Sequence, residues 1–217
     1  MVEFRIRPYR PEDGEAVREV FATGMSEYAP ALSLHALRQP WALLLLGCTF
    51  CLLLASARSL LLPVLAVTLL LALARHLVGC AWSAYIDRCL ADDLRDVAAA
   101  YAESDGAGFW VAEADERVVG TAGVRPAEAD GELMLKRMVV RKDYRGLGVG
   151  TALCRTALAF ARRQGCRAVV LNTLMVQHEA RAFYERLGFR RHHRYVLPTV
   201  YGHLANCTVT VYRRDLP

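Results

Sequence analysis

The segment Tyr144-Arg145-Gly146-Leu147-Gly148-Val149-Gly150-Thr151-Ala152-Leu153 sets three glycines and one arginine directly ahead of a helix-forming run. Backbone N–H groups at a helix N-terminus lack intrahelical acceptors and stand at the positive end of the helix dipole, so they attract anions. Arg145, Gly148 and Gly150 place such groups at the start of a helix beginning near Val149, which suits a pyrophosphate. Two other phosphate loops are excluded by spacing, because neither G-x-G-x-x-G nor G-x-x-x-x-G-K-[ST] occurs. Ahead of the loop come an extended apolar run, Met138-Val139-Val140, and a polar turn, Arg141-Lys142-Asp143. Strand and helix would meet at a phosphate-sized notch. A flexible helix entry is the other reading of the same glycines, and the neighbouring elements decide between the two.

Those neighbours are legible from periodicity. Phe4-Arg5-Ile6-Arg7 alternates like a strand, and after Pro11-Glu12-Asp13 the residues Val17, Val20, Phe21 and Met25 recur at helical spacing. Tyr85, Ile86, Cys89, Leu90, Leu94, Val97 and Tyr101 mark a second amphipathic helix. Phe109 to Val124, turning at Asp115-Glu116, reads as a hairpin. There follow the strand through Met138–Val140, the glycine loop, a helix to about Arg163, and a strand Ala168-Val169-Val170-Leu171. A helix from Gln177 to Leu187 and closing strands near Tyr195 and Val209-Val211 complete the chain, with no internal repeat.

A chain of 217 residues is enough for one domain plus an extra segment. The net charge of +5 is mild and rests almost wholly on arginine, Lys136 and Lys142 being the lysines. No basic stripe interleaved with aromatic residues appears, which argues against nucleic acid as a partner. A polyanionic cofactor or an anionic membrane surface is the more economical use of the charge. The seven cysteines are odd in number and scattered, unlike a disulfide framework, and no paired Cys/His cluster has zinc spacing, so reduced thiols and no metal are expected. Cys48 and Cys51 form a C-x-x-C inside an apolar run, where they read as buried small apolar residues. Cys80, just past that run, has a position open to palmitoylation.

That run separates the flanking elements. Trp41 to Ala57 and Ser59 to Ala74 carry no charge, with Arg58 alone between them. As one helix it would span roughly 50 Å at ~1.5 Å per residue, far more than a hydrocarbon core of about 30 Å. Residues 41–74 are therefore expected to form an inserted hairpin of two short helices that dips into or crosses a membrane. Its turn is near 56–59, and Pro63 sits at the start of the second helix, where it does least harm. A fully buried hairpin of a soluble protein is the alternative. About 40 polar and amphipathic residues precede the run, so it does not read as a signal peptide. If Phe4-Ile6 and Val139 share a sheet, both flanks of the insert lie on one side of the membrane. Arg10, Arg18 and Arg38 before it and Arg75, His76 and Arg88 after it outnumber Arg58, which places the flanks in the cytosol, with the endoplasmic reticulum the expected membrane. Asn206-Cys207-Thr208, an N-glycosylation triplet, points the other way, yet it opens an expected strand.

The strand, the hairpin FWVAEADERVVGTAGV, the following strand, R-x-x-G-x-G, the long helix, the apolar strand and A-x-x-x-Y-x-x-x-G-F at Ala180 to Phe189 together resemble the GNAT superfamily of acetyl-CoA-dependent N-acetyltransferases. The resemblance covers nearly the whole chain outside the insert. The insert's position, with LRQP, SARSLLL, GFWVAE and RYVLP, is similar to the membrane-anchored camello-like and N-acetylaspartate synthetase group. The implied fold is α+β: one domain over residues 1–217, with a mixed, mostly antiparallel sheet flanked by helices and interrupted by the hairpin.

The resemblance also implies roles. Met138, Val139 and Val140 would hold the acetyl and pantetheine groups of acetyl-CoA on a strand that splays from its neighbour, and Arg145, Gly146, Leu147, Gly148, Val149 and Gly150 would hold the pyrophosphate. Tyr184 matches the family's A-x-x-x-Y and would protonate the departing thiolate, a core aromatic being the other reading of the residue. Gln177 stands where many relatives carry Asn and would bond the pantetheine. Glu132, counted on the same strand face as Met134, Lys136 and Met138, is the candidate general base, with a water chain or a plain polar strand entry as alternatives. Lys136, Arg137 and Arg190-Arg191-His192-His193-Arg194 could receive the carboxylates of a small acidic amino acid such as L-aspartate, and could equally form a solvated face. A cysteine S-conjugate arriving through the bilayer, a protein lysine, or a membrane-tethered acyl-CoA-binding module without catalysis are the other readings. The expected partners are thus a small-molecule amine and membrane lipid.

Overall fold

The computed structural model describes residues 3–57, 59–102 and 105–217, the side chain of residue 102 excepted. Arg58, expected at the hairpin turn, lies outside the described residues.

Strand β1 (Arg5–Pro8) leads through a 3-10 turn whose Asp13 accepts both guanidinium nitrogens of Arg7, at 2.7 Å each. Helix α1 (Gly14–Ser26) follows and buries Val17, Val20 and Phe21, the stripe its spacing predicts. Helix α2 (Ala29–Leu37) was not legible, because its apolar residues keep no single face. Helices α3 (Pro40–Ala57) and α4 (Leu61–Ala91) are each long and apolar enough to cross a membrane, and almost none of their most apolar stretches is buried. Pro63 occupies the first turn of α4, where its missing N–H has no intrahelical partner to lose.

Two details differ from the sequence expectation. The amphipathic helix starting at Tyr85 is no separate element: α4 runs unbroken from the apolar stretch into the domain, and Trp82, Ile86 and Cys89 bury its final turns. Nothing between Ala74 and Tyr85 stops it, since Gly79 is the sole weak helix former there and one glycine costs only about 1 kcal/mol. The helix ends at Asp92, and Leu94, Val97 and Tyr101 reach the core through a turn and a short π-helical segment, Ala98–Ala102. Cys48 and Cys51, read as buried, are exposed on α3, which leaves most of its circumference open.

Strands β2 (Gly108–Ala114) and β3 (Arg117–Pro126) form the expected hairpin, with Asp115 and Glu116 at φ 48° and 59° in the turn. Strand β4 (Glu132–Val140), helix α5 (Val149–Arg163), strand β5 (Ala168–Leu174) and helix α6 (His178–Arg186) follow. Strand β6 (Arg190–Val196), a short helix α7 (Val200–Leu204) and strand β7 (Thr208–Asp215) end the chain. The seven strands lie in the order β1-β2-β3-β4-β5-β7-β6, and only the central pair β4–β5 is parallel. Against one face pack α5, with Leu153, Cys154, Ala157, Leu158 and Ala161 at helical spacing, and α6 through Tyr184. Against the other pack α1, α2 and the last turns of α4, around Phe21, Trp82, Tyr101 and Phe109. The chain is one α+β domain body with two apolar helices extending from it.

Candidate active site

The parallel pair at the centre of the sheet is joined only from Glu132↔Ala168 to Leu135↔Leu171. Beyond that, β4 continues to Val140 beside β3, and β5 continues to Leu174 beside β7. The two strands separate, and the β4 backbone groups facing β5 past Leu135 have no strand opposite them. Such unpaired donors are what an extended amide-bearing ligand or an acyl oxygen would use.

The opening is set by a bulge. Between Lys136, opposite Gly123, and Val139, opposite Thr121, β4 carries one residue more than β3. Arg137 sits there at φ 53° and its carbonyl accepts the Thr121 hydroxyl at 2.7 Å. Its guanidinium is buried over the ring of Phe21, 5.0 Å from the centroid. It donates to both carboxylate oxygens of Asp93, the shortest contact being 2.5 Å. Tyr101 donates its hydroxyl to the same carboxylate, and Lys136 Nζ stands 3.8 Å away. Burial alone would raise the Asp93 carboxyl, but Arg137, Tyr101 and Lys136 outweigh it and hold it below the usual carboxylate range. On the far side of the bulge α1 lies against the strand: a Cβ on Gly24 would come within 2.4 Å of Val139 Cγ1.

The bulge also reverses the strand's faces. Leu133 and Leu135 point toward α5, and after the extra residue so do Met138 and Val140, while Val139 turns to the α1 side. The counting that put Glu132 on one face with Met138 therefore fails, because alternation breaks at Arg137. Glu132 itself lies at the opposite end of β4 and accepts from Arg213, with Arg167 Nε 3.7 Å away. The opening begins past Leu135, three residues or roughly 10 Å along the strand from Glu132, whose carboxylate stays with Arg213 at the paired end.

The glycine loop closes the open end of the gap. Gly148 caps α5 at φ 91°, a conformation in which an L side chain is strained. A Cβ on Gly146 or Gly148 would meet no protein atom within 4 Å, so both face open space, as a polyphosphate cradle requires. A Cβ on Gly150 would touch Phe183 Cζ at 3.4 Å and Met138 Cε at 3.6 Å, which ties loop, α6 and β4 together. The Arg145 side chain turns back, with Nε donating to the Val140 carbonyl at 3.0 Å and the terminal nitrogens to Glu27 at 2.7 and 3.0 Å. Backbone amides of the loop, more than this guanidinium, are what the notch presents to an anion.

Tyr184 projects from α6 into the same region, its ring edge-on to Phe183 and Phe189. Burial, with smaller contributions from Cys154 and Tyr28, raises its phenol well above the ordinary value, so the hydroxyl stays protonated. Gln177 precedes α6 and its Oε1 accepts the Leu174 N–H at 2.8 Å, fixing the end of β5. Tyr28 lies between Arg145, Gln177 and Tyr184, and burial raises its phenol too. No spacing marks Tyr28, which stands at the turn between α1 and α2.

On the α1 side of β4, Lys136, Met134, Arg125, Pro126 and Asp105 line a concavity of about 400 Å³ beside the bulge. The Arg190–Arg194 run is exposed on the edge strand β6, two strands away from the gap, with Arg191 held by Glu185. Among the described residues no group of three His, Cys, Asp or Glu side chains is placed to hold a metal ion.

The comparisons bear on the family and the fold. The profile of the acetyltransferase (GNAT) family matches residues 71–189. The protein named "Probable N-acetyltransferase camello" in Xenopus tropicalis is 36% identical over 100% of this chain and 99% of its own length. N-acetyltransferase 8B of Rattus norvegicus is 39% identical over 88% of each. Among solved structures, a GNAT-family acetyltransferase of Staphylococcus aureus superposes with a TM-score of 0.62 at 21% identity, covering 99% of this chain and 100% of that one. An acetyltransferase of Bacillus anthracis, solved with acetyl coenzyme A, superposes with a TM-score of 0.51 at 22% identity over 57% of this chain and 70% of its own.

Proposed function

The chain belongs to the acetyltransferase (GNAT) family, and from that membership we propose that it is a membrane-anchored enzyme acetylating the α-amino group of a small amino acid such as L-aspartate. Its class is that of the acetyl-CoA-dependent N-acetyltransferases. The observation that carries the reading is the gap between β4 and β5, which opens past Leu135↔Leu171 onto the amides at Gly146, Gly148 and Gly150.

Bound acetyl-CoA supplies an activated thioester. Amides of Arg145 to Gly150 bind its pyrophosphate, and Met138, Val139 and Val140, with Gln177, line the pantetheine path along the unpaired edge of β4. The N–H groups at the bulge polarise the acyl oxygen. Tyr184 Oη holds the proton that the departing sulfur needs, and its raised pKa keeps that proton in place at neutral pH. With Glu132 committed to Arg213 at the far end of β4, water in the concavity beside Lys136 takes one proton from the acceptor's ammonium, and the neutral amine so formed attacks the thioester carbon; the nitrogen sheds a second proton to water as the C–S bond breaks, and solvent returns a proton to Tyr184. Lys136 and Arg125 offer the positive charge that an acceptor carboxylate would meet.

The anchor is α3 with the outer part of α4. Leu44, Leu52, Leu61 and Leu69 are each more than 60% exposed, an apolar area that water would not tolerate and lipid would cover. Arg38, Arg75, His76 and Arg88 at the domain end favour a cytosolic catalytic domain, with the endoplasmic reticulum the membrane we propose. An amine with an apolar body, such as a cysteine S-conjugate, is the second reading. It is favoured by Leu174, Met175 and Val176 at the end of β5, which pack in the cluster that contains Trp82 of α4.

Membranes carrying the protein are to be supplied with labelled acetyl-CoA and, separately, L-aspartate, S-benzyl-L-cysteine and a lysine peptide. Product from L-aspartate that disappears in Gly148→Glu supports the first reading, and product from the conjugate alone the second. Acetyl-CoA binding without product from any amine favours a non-catalytic binding module.

A further inference from the structure

Helix α7, between β6 and β7, carries an apolar face that no other element covers. Val200 is 80% exposed, Leu204 56% and Tyr201 41%. They lie at helical spacings of one and four residues, so they share one side of the helix. The other side is tied down: Thr199 caps Gly202 N–H at 3.0 Å, and Gly202 is buried. The carbonyl end of α7 is held by residues that lead into the apolar hairpin. Trp41, in the first turn of α3, donates its indole N–H to the Leu204 carbonyl at 2.7 Å, and His35 of α2 hydrogen-bonds the Ala205 carbonyl at 2.8 Å.

These contacts fix the level of α7 relative to the hairpin. Trp41 is 48% exposed at the point where α3 leaves the domain, and Leu34, seven residues earlier on α2, is 49% exposed. Tryptophan favours the bilayer interface, where an apolar ring and a polar N–H are both accommodated. An element bonded to that indole stands at the same depth. The exposed face of α7 thus lies beside the start of α3, whose apolar surface continues from Trp41.

We propose that α7 is an interfacial membrane-docking element: Val200, Tyr201 and Leu204 enter the headgroup boundary beside Trp41 and hold the catalytic domain flat against the bilayer. The proposal rests on the membrane reading of α3 and α4. The Gln177 end of β5 and the β6–β7 connection then open close to the lipid surface, and an acceptor amine approaches along it.

The test uses the full chain in phosphatidylcholine–phosphatidylserine nanodiscs, with the accessible Cys48, Cys51, Cys80 and Cys166 replaced by alanine. A single cysteine carrying an environment-sensitive fluorophore is placed at Val200, at Leu52 in the middle of α3, or at exposed Gln164 past the far end of α5. Lipid bearing a quencher near the top of its acyl chains should cut emission from position 200 by about twofold, given an insertion depth of roughly 5–10 Å, and leave position 164 unchanged. Quenching at 52 with position 200 matching 164 overturns the docking while the anchor stands. A position-200 signal shielded by a second copy of the chain, insensitive to the lipid quencher, overturns it as well. Absence of quenching at both 52 and 200 removes the anchor and the docking together.

Discussion

Tyr184 meets its neighbours edge-on, with ring centroids 5.2 Å from Phe183 and 5.6 Å from Phe189, so packing fixes the ring whose hydroxyl we propose as the general acid. Tyr184→Phe keeps that packing and removes only the proton. We expect kcat to fall by roughly 10²–10³, as for loss of a general acid, with acetyl-CoA affinity unchanged by calorimetry. Because burial raises this phenol above its ordinary value of about 10, the alkaline limb of the wild-type profile below pH ~10 will not come from Tyr184. Gly148→Ala is a different case. The new methyl meets no protein atom, yet φ 91° strains it by about 1–2 kcal/mol and sets it in the space the phosphates need. The outcome expected is a modest loss of Tm and a much larger loss of acetyl-CoA binding, which titration of the same sample separates. Both residues are candidates named from the sequence, Tyr184 through the resemblance carried by A-x-x-x-Y-x-x-x-G-F and Gly148 by its place before an apolar helix. Tyr28 was not, since it stands in a turn between two helices that no periodicity marks.

At the level of elements, one inserted residue decides where the acceptor side lies. The bulge at Arg137 sends Met138 and Val140 toward α5 and leaves Lys136 on the opposite face, and period-two counting along ELMLKRMVV has no means of seeing it. The partner that pins the bulge was equally hidden. No spacing marks Asp93: the chain turns at Asp92 and lays the Asp93 carboxylate against Arg137. Asp93→Asn should cost about 3–5 kcal/mol, the usual effect of stranding one member of a buried ion pair. The pH dependence has a definite sign. The folded-state pKa of Asp93 is depressed, so its contribution is complete above the ordinary carboxylate pKa of about 4 and is lost as pH falls through the folded value. Thermal melts from about pH 6 downward should show the wild type losing Tm more steeply than the variant. Parallel curves would mean that Asp93 carries no such linkage. Arg137→Lys keeps the charge and loses the two-pronged contact, so activity should fall by more than stability does, because the bulge is held by geometry as well as charge.

For the whole molecule, the sheet constrains how the chain would meet the membrane we propose for it. Strand β1, before the apolar helices, pairs with β2, after them, through Arg5↔Glu113 to Pro8↔Trp110. Both flanks of the hairpin are therefore in one folded body on one side, a conclusion that alternation at Phe4-Arg5-Ile6-Arg7 already made available from sequence. The continuity of α4 from Leu61 to Ala91, about 46 Å at ~1.5 Å per residue, was not available, and it means that one helix runs from the outer apolar stretch to the turn that presents Asp93 to the bulge. Glycosylation mapping in microsomes tests the topology. An acceptor triplet with a short spacer inserted after Ala57 should be modified, while one before Arg5 and the native Asn206-Cys207-Thr208 should not. Modification of the flanks and not of the turn would place the catalytic domain in the lumen, and modification of neither would describe a hairpin that enters and leaves by the same face. Modification of the N-terminal triplet and the turn together would be incompatible with the β1–β2 pairing itself, since no single crossing can leave Arg5 opposite Glu113.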